Sequence, residues 1–440
     1  MGIENILFIV AFAAAVFFFS KNLKAIIRNI NLGKDVDISD NKPERWKKMI
    51  LVAIGQSKMV VKPVSGLMHI IVYAGFIIIN IEVLEIIIDG IFGTHRIFAA
   101  TLGGFYDFLI GSFEILAFLV LVACVVFFIR RNAMTIKRFK MKEMLGWPKT
   151  DANIILIVEV LLMGAFLKMN AADQVLQARG VEHYVVAGSY PVSQFLVPVM
   201  ENFSSGYIIF LERATWWFHI LGILAFLNYL PYSKHFHIML AFPSVFYSKL
   251  KPRAEFDNMD SVKKEVEMMF DPDADPYTAP AEPEELVERF GAKDVTDLNW
   301  KQLMDSYSCT ECGRCSEQCP ASQTGKLLSP RKIMMDTRDR VEEVGKGMDK
   351  NGKDFSDGKS LLGDYISEEE LWACTTCNAC VDACPIELNP LSIIMDMRRS
   401  LVMEESKIPS ELAGMITNIE NNGAPWQFSQ TDRANWINEG

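Results

Sequence analysis

The chain has 440 residues, of which 50% are hydrophobic, and a formal net charge of −10 at pH 7. Its mean hydropathy of +0.17 is too high for an ordinary soluble protein of this length. The long apolar runs fall within residues 1–248, whereas residues 251–440 are polar and acidic. This asymmetry predicts one part in a bilayer and one in water. The acidic charge of the second part argues against nucleic-acid binding.

Five apolar runs are long enough to cross the hydrocarbon core of a bilayer, which takes about 20 helical residues. They cover residues 4–26, 62–89, 103–130, 152–169 and 207–230. No basic segment precedes the first run, and no small-residue cleavage site follows it. We therefore expect a retained membrane helix at the N-terminus and no signal peptide.

Lysine and arginine are distributed unevenly among the loops between these runs. Residues 21–62 contain ten and residues 130–149 contain seven, whereas residues 90–102 contain Arg96 alone and residues 170–206 contain Arg179 alone. The positive-inside bias places the two basic loops in the cytoplasm. We expect a multi-pass protein of the prokaryotic cytoplasmic (inner) membrane, with its N-terminus outside and its C-terminal half in the cytoplasm.

Three of the six histidines, His69, His219 and His237, lie in or beside the predicted spans. Ionisable residues at membrane depth are costly and usually functional. On one continuous helix, His219 and His237 would share a face and lie about 27 Å apart, although Pro231 between them is able to kink such a helix. His69 and His237 have similar depths near the cytoplasm, so we expect a haem b between them. The alternative is that all three are interfacial histidines hydrogen-bonded to their neighbours.

An acidic, proline-rich stretch separates the two halves of the sequence. It predicts an extended linker at residues 249–297, between a membrane domain at 1–248 and a cytoplasmic domain at 298–440. A docking strap for a partner is the alternative for this linker. A short helix is predicted at 284–290 within the linker and another at 298–307, and further helices of the second domain begin near residues 329, 367 and 389.

Eight of the nine cysteines form two runs with the same spacing, C-x2-C-x2-C-x3-C-P. This spacing is typical of paired cubane iron–sulfur clusters, in which the fourth cysteine of each run ligates the other cluster. A zinc ribbon fits less well because its ligands usually come as two C-x2-C pairs. One [4Fe–4S] cluster is expected on Cys309, Cys312, Cys315 and Cys384, and a second on Cys374, Cys377, Cys380 and Cys319.

The ninth cysteine, Cys124, lies in an apolar run and is expected to be a small buried hydrophobic residue. No pair is left over for a disulfide, which fits a reducing compartment. The predicted fold class is all-α: a five-helix transmembrane bundle followed by a mainly helical ferredoxin domain with two [4Fe–4S] clusters.

The membrane half resembles the cytochrome b (gamma) subunit of respiratory nitrate reductase and its relatives in heterodisulfide reductase. The five-span layout, residues 65–69 and the segment from His219 to His237 carry the resemblance. It implies two haems b, each held between one histidine of the second span and one of the fifth. The chain departs from this pattern at Ile79, where the second histidine of the second span is expected. The resemblance thus implies one haem on His69 and His237; either it is the only haem, or His219 finds another ligand.

The soluble half resembles the iron–sulfur subunits of heterodisulfide reductase, anaerobic glycerol-3-phosphate dehydrogenase and related quinone-linked complexes. The matching stretches are residues 300–307, both cysteine runs, residues 423–426, Arg433 and Trp436. In fused members of this family a catalytic domain with paired Cys-Cys-Gly motifs follows, whereas this sequence contains no Cys-Cys pair. The resemblance implies a separate Cys-Cys-Gly iron–sulfur subunit as a partner.

Haem and clusters carry single electrons, whereas a quinone carries two. We therefore expect a membrane-bound electron-transfer subunit between the (mena)quinone pool and the Cys-Cys-Gly subunit, with no catalytic residue of its own. Glu82, Glu85, Asp89 and Glu114 are candidates for exchanging quinone protons, or else they face partner helices. Two alternatives stay open: a haem-free membrane anchor and docking platform for a soluble oxidoreductase, and a link between an electron-transfer flavoprotein and quinone.

Overall fold

The structure is a computed structural model that describes residues 2–252, 255–271 and 289–438. The described part is all-α, as predicted, with 70% helix and no strand. Residues 253–254 and 272–288 of the predicted linker, which include most of the helix expected at 284–290, lie outside the described residues. The α-helices in chain order are α1 (Ile3–Ile30), α2 (Lys42–Met49), α3 (Pro63–Phe92), α4 (Ala99–Leu102), α5 (Gly104–Asn132), α6 (Trp147–Ala178), α7 (Val197–Met200), α8 (Ser205–Tyr229), α9 (His237–Phe246), α10 (Asp260–Phe270), α11 (Trp300–Ser308), α12 (Arg314–Gln318), α13 (Pro320–Gln323), α14 (Pro330–Asn351), α15 (Glu368–Trp372), α16 (Ala379–Ala383), α17 (Pro390–Arg399) and α18 (Ser410–Asn422).

Among the described residues, five helices are long and apolar enough to cross a membrane: α1, α3, α5, α6 and α8 with the turn that follows it. This confirms the five predicted spans. In the bundle, α6 packs between α5 and α8, α3 packs on α5, and α1 packs on α3 and α8. Cys124 is buried inside α5, as expected for a small apolar residue.

The predicted single helix from His219 to His237 is wrong. α8 ends at Tyr229, two 3₁₀ turns follow, and α9 begins at His237. The chain leaves the helix because Pro231 offers no backbone N–H. Beyond it, the carboxylate of Asp151 accepts hydrogen bonds from the Ser233 hydroxyl at 2.7 Å and from the next backbone N–H at 3.1 Å. The two histidines therefore lie on separate helices.

The helices of the cluster domain begin where the sequence places capping residues. Asn299 and Gln302 form a reciprocal capping box at the start of α11. Ser367 and Glu370 do the same at the start of α15, just before the second cysteine run. Each box satisfies backbone N–H groups that a helix start leaves unpaired. The predicted helix starts near residues 329, 367 and 389 are confirmed by α14, α15 and α17.

One continuous apolar core joins the membrane half to the cluster domain. It includes Ile26 and Ile30 at the end of α1, Phe236 before α9, and Tyr307 and Ile333 of the cluster domain. α1 is longer than its predicted span because its last turns continue beyond the apolar run to reach α11 and α14. The two halves therefore pack as one unit and are not two separate bodies connected only by a linker.

The buried side chain of Arg331 stabilises this junction. It is fully buried, and it donates hydrogen bonds to the Arg138 carbonyl and to Glu143, both at 2.8 Å, on the basic loop between α5 and α6. Burial by itself would raise the pKa of Glu143, but hydrogen bonds from Ser329 and Arg331 outweigh it and lower that pKa. The charge on Glu143 thus stabilises the folded junction.

We predict that Arg331→Met destabilises the protein, because it leaves Glu143 charged and buried without its cation, a loss of about 3–5 kcal/mol. The measurement is the temperature at which cluster absorbance disappears, with Lys346→Met on the exposed face of α14 as the control. A lowered pKa stabilises the folded protein only above the pKa that the same group has in the unfolded chain. The difference in transition temperature between the variant and wild type should therefore narrow below about pH 4.3. An unchanged transition temperature at pH 7 would show that this contact is dispensable.

Candidate metal centres

The two cysteine runs have the same unusual backbone at matched positions. The residue before the second cysteine of each run, Glu311 and Thr376, has a positive φ of 53° and 55°. The residue after that cysteine, Gly313 and Asn378, has a positive φ of 71° and 60°. Left-handed residues other than glycine are uncommon. Their repetition indicates that both loops are shaped to wrap the same kind of ligand.

The fourth cysteine of each run lies beside the other run. Burial raises the pKa of Cys384, and the thiolate charge of Cys312 raises it further. Burial likewise raises the pKa of Cys380 to about 12, with further contributions from Cys374 and Cys319. Such mutual effects require short separations. They arise because α12 packs on α16, which carries each fourth cysteine to the neighbouring loop.

In the part of the chain that the structure describes, no three His, Cys, Asp or Glu side chains converge on a point suited to one metal ion. A zinc site needs four ligands around one ion, whereas a cubane binds each thiolate to a different iron. The N–H of Thr376 lies 3.4 Å from Cys374 Sγ, and the N–H of Leu388 lies 3.3 Å from Cys384 Sγ. Hydrogen bonds to sulfur are a means of setting cluster potential. The loops therefore fit cubane clusters.

Each cysteine group has two buried members, but only the second group has an exposed one, Cys377. The first loop lies against the membrane half, where Arg314 donates to the Lys58 carbonyl at 2.9 Å. The first group is therefore the one nearer the membrane, and the second reaches the surface of the chain.

A buried ion pair connects the first cysteine loop to the segment before α9. Lys234 donates a hydrogen bond to Glu311, and their side chains are only 7% and 2% exposed. Arg338 also donates to Glu311, at 2.8 Å. Burial alone would raise the pKa of Glu311, but these two cations lower it. Sequence reasoning missed this pair, because nothing in the local pattern of either residue signals the other.

His69 on α3 and His237 at the start of α9 face each other with ring centres 6.5 Å apart. Two imidazoles on opposite sides of one metal, each bound at about 2 Å, have centres roughly 6 Å apart. Nδ1 of His237 lies 3.0 Å from the Lys234 carbonyl, which leaves Nε2 for a metal, the usual arrangement of a ligating histidine. Nδ1 of His69 is buried without a hydrogen-bond partner. His69 and His237 would therefore be the residues to hold a haem, which would supply one-electron transfer there.

His219 lies within α8 and is 1% exposed. Its Nδ1 is 3.0 Å from the Leu162 carbonyl, and its ring lies against Phe166. Ile79, at the position where the resemblance implies a histidine, is buried in the apolar core of the bundle. Across residues 2–252, the ring contacts of His219 include no other histidine. The structure thus brings His69 and His237 together and leaves His219 apart from both.

The four acids of the second and third spans are held in a network that centres on Arg96, a residue that sequence reasoning did not select. Arg96 is 8% exposed and pairs with Asp173 at 2.7 Å. Glu82 lies 3.8 Å from Arg96 and keeps one buried oxygen without a partner. For the other three acids the contacts favour a role in helix packing. Hydrogen bonds run from Tyr106 to Glu85, from Asn170 to Glu114, and from the N–H of Arg96 to Asp89.

Comparison with known proteins assigns the cysteine region. Residues 308–388 match the family model described as a 4Fe-4S dicluster domain. The "Probable iron-sulfur-binding oxidoreductase FadF" of Bacillus subtilis is 28% identical over 99% of this chain and 61% of its own length. The "EtfAB:quinone oxidoreductase" of Syntrophomonas wolfei is 27% identical over 92% of this chain and 55% of its own length. The "Probable membrane-anchored ferredoxin" of Chromohalobacter salexigens is 34% identical over 33% of this chain and 24% of its own length.

No solved structure is significantly similar. The chain spans less than two thirds of the length of the two relatives that match it throughout. Its other homologues include subunits of heterodisulfide reductases. Residues 308–388 of the chain therefore form a 4Fe-4S dicluster domain, the described residues include five helices long and apolar enough to cross a membrane, and the homologues are heterodisulfide-reductase-like iron–sulfur oxidoreductases.

Proposed function

We propose that this protein passes electrons between a membrane quinone, with menaquinone as the first candidate, and a cytoplasmic redox partner. The observation that carries the proposal is the link from His237 through Lys234 to Glu311 in the first cysteine loop. Together with the exposed Cys377 of the second loop, it sets the candidate carriers in a row from the membrane to the surface of the chain. Such a row is what transfer of single electrons out of a bilayer requires.

Two [4Fe–4S] clusters and one haem b are the proposed cofactors. The haem would be held by His69 and His237, and when bound it supplies one-electron transfer between the membrane and the clusters. His219 is a candidate ligand of a second haem; otherwise it is an alternative haem ligand. The first cluster is assigned to Cys309, Cys312, Cys315 and Cys384, and the second to Cys374, Cys377, Cys380 and Cys319.

The proposed location is a prokaryotic cytoplasmic membrane, with the cluster domain in the cytoplasm and the N-terminus outside. Contacts across the junction support it, because both basic loops lie on the side of the cluster domain. Lys58 pairs with Glu387 at 2.6 Å, and Lys62 and Arg138 both pair with Glu317. The positive-inside bias then assigns that side to the cytoplasm.

The proposed partner is a Cys-Cys-Gly iron–sulfur unit, as the resemblance implies. An electron-transfer flavoprotein is the second candidate, favoured by the similarity to the EtfAB:quinone oxidoreductase of Syntrophomonas wolfei over 92% of this chain. The third candidate is a haem-free anchor for a soluble oxidoreductase. A measurement of the haem content distinguishes it from the first two candidates, which both require haem.

The first experiment measures haem, non-haem iron and the dithionite-reduced minus oxidised spectrum of the purified full chain without oxygen. We expect one haem b and about eight non-haem irons per chain. His69→Ala and His237→Ala should each remove the haem and leave the non-haem iron unchanged, because each deletes one of the two histidines that would hold the haem. His183→Ala, at an exposed histidine, is the matched control. About eight irons without haem in the wild type would overturn the membrane part of the proposal and leave an anchored ferredoxin.

The crossed assignment of the fourth cysteines makes a second prediction. Cys384→Ser should alter the same electron paramagnetic resonance signal of the reduced protein as Cys312→Ser, and not the signal that Cys377→Ser alters. Loss of that cluster would lower the non-haem iron content from about eight to about four. Cys124→Ser, at a buried cysteine of the bundle, should change neither quantity. If Cys384→Ser instead matches Cys377→Ser, each run closes its own cluster.

A further inference from the structure

A cavity of about 290 Å³ opens between α6 and α8 in the cytoplasmic half of the bundle. Its walls are apolar: Val158 and Leu162 come from α6, and Gly222 and Phe226 come from α8. Gly222 keeps the two helices close, because a Cβ at this position would lie 2.6 Å from a methyl carbon of Leu162. The cavity ends at Tyr229, the last residue of α8.

The Tyr229 end of the cavity is polar and buried. The Tyr229 hydroxyl donates to the carboxylate of Asp151 at 2.5 Å, and Asp151 is 2% exposed. Lys234 donates its backbone N–H to the same carboxylate, and its ammonium lies 3.7 Å from it. Since Lys234 also pairs with Glu311, an unbroken series of polar groups runs from the cavity to the first cysteine loop.

The same end of the cavity adjoins the histidines of the candidate haem site. Phe226 stacks on Tyr229 with ring centres 6.1 Å apart, and its other neighbour is His235 at 5.4 Å. His235 in turn contacts His237 at 5.6 Å. A ring bound beside Phe226 would therefore be connected to a candidate haem ligand, His237, through Phe226 and His235.

We propose that this cavity binds the quinone head group, with Tyr229 and Asp151 as its proton-exchanging pair. The inference rests on the proposed function, and it adds the substrate site that the function requires. Pockets that combine an apolar wall with a few convergent polar groups suit such a ligand. A quinone carries an apolar ring with carbonyl or hydroxyl oxygens, so it matches both the walls and the polar end.

Oxidation of one quinol releases two electrons and two protons. In the proposed step, a quinol O–H bond breaks and its proton joins the Tyr229 oxygen, while the hydroxyl proton of Tyr229 moves to the Asp151 carboxylate. The proton then leaves the Asp151 carboxylate for the aqueous side of the junction, after which the second quinol proton follows the same route. The two electrons pass singly to the one-electron carriers of the proposed function, haem and [4Fe–4S] clusters. Quinone reduction is the reverse.

The test measures binding of a fluorescent quinol analogue, a hydroxyquinoline N-oxide, to the full chain in lipid nanodiscs by fluorescence quenching. Ala225→Trp fills the cavity from a residue that lines it and is exposed on the face of α8. We expect it to weaken binding at least ten-fold. Leu221→Trp, at an exposed residue of the same helix that does not line the cavity, is the matched control and should bind like wild type.

A second variant, Tyr229→Phe, keeps the ring and removes the hydroxyl. We expect it to bind the analogue within a few-fold of wild type but to slow the reduction of the clusters by menaquinol at least ten-fold. Unchanged reduction would overturn the proton route. Cluster absorbance before menaquinol is added serves as the folding control for each variant.

The outcomes also separate this inference from the function on which it rests. If menaquinol reduces the wild-type clusters and Ala225→Trp binds and reacts equally well, the quinone site lies elsewhere and only this inference fails. If mass spectrometry finds a phospholipid in the cavity that excess analogue does not displace, the cavity is a lipid site and the inference fails. If neither menaquinol nor menaquinone exchanges electrons with the wild-type clusters, the proposed function itself fails.

Discussion

The ion pair of Lys234 and Glu311 is the interaction on which the junction between the two halves depends. Removing an ammonium and a carboxylate from water is costly, and their attraction repays the cost only when further hydrogen bonds hold both groups. Here Lys234 also donates to the Pro148 carbonyl at 2.6 Å, and Glu311 also accepts from Arg338. The carbonyl of Lys234 orients His237 as well. One short segment therefore positions both a candidate haem ligand and a candidate cluster loop.

The two cysteine loops are equal in sequence pattern but unequal in surroundings. The backbone repeats at Glu311 and Thr376, yet Glu311 is paired with Lys234 of the membrane half and Arg338 of α14, whereas Cys377, next to Thr376, is exposed. Cluster potentials respond to nearby charge, hydrogen bonds and solvent. Two chemically identical cubanes in these loops would thus have different potentials and different neighbours, which gives an electron path a fixed order in space.

Polar residues at membrane depth serve two purposes in this protein. At the end away from the cysteines, Arg96 forms an ion pair and hydrogen bonds with acids of the bundle, and these contacts hold helices against each other. At the cysteine end, Asp151 and Lys234 connect the bundle with the cluster loops. Ionisable groups in a membrane are a sign of function by default, but satisfied partners show which of them mainly support packing. Glu82, with one oxygen unpartnered, stands between the two cases.

The sequence by itself determined the features that depend on local pattern: five apolar runs of membrane length, capped helices such as those that begin after Asn299 and Ser367, and two cysteine runs of fixed spacing. These could be predicted because each is decided by neighbours along the chain. The pairing of Lys234 with Glu311, and the course of the chain after the break at Pro231, were decided only by tertiary structure. The physical reason is that both depend on groups far away in sequence: Glu311 lies 77 residues from Lys234, and the carboxylate of Asp151 accepts the hydrogen bonds that hold the turn after Pro231.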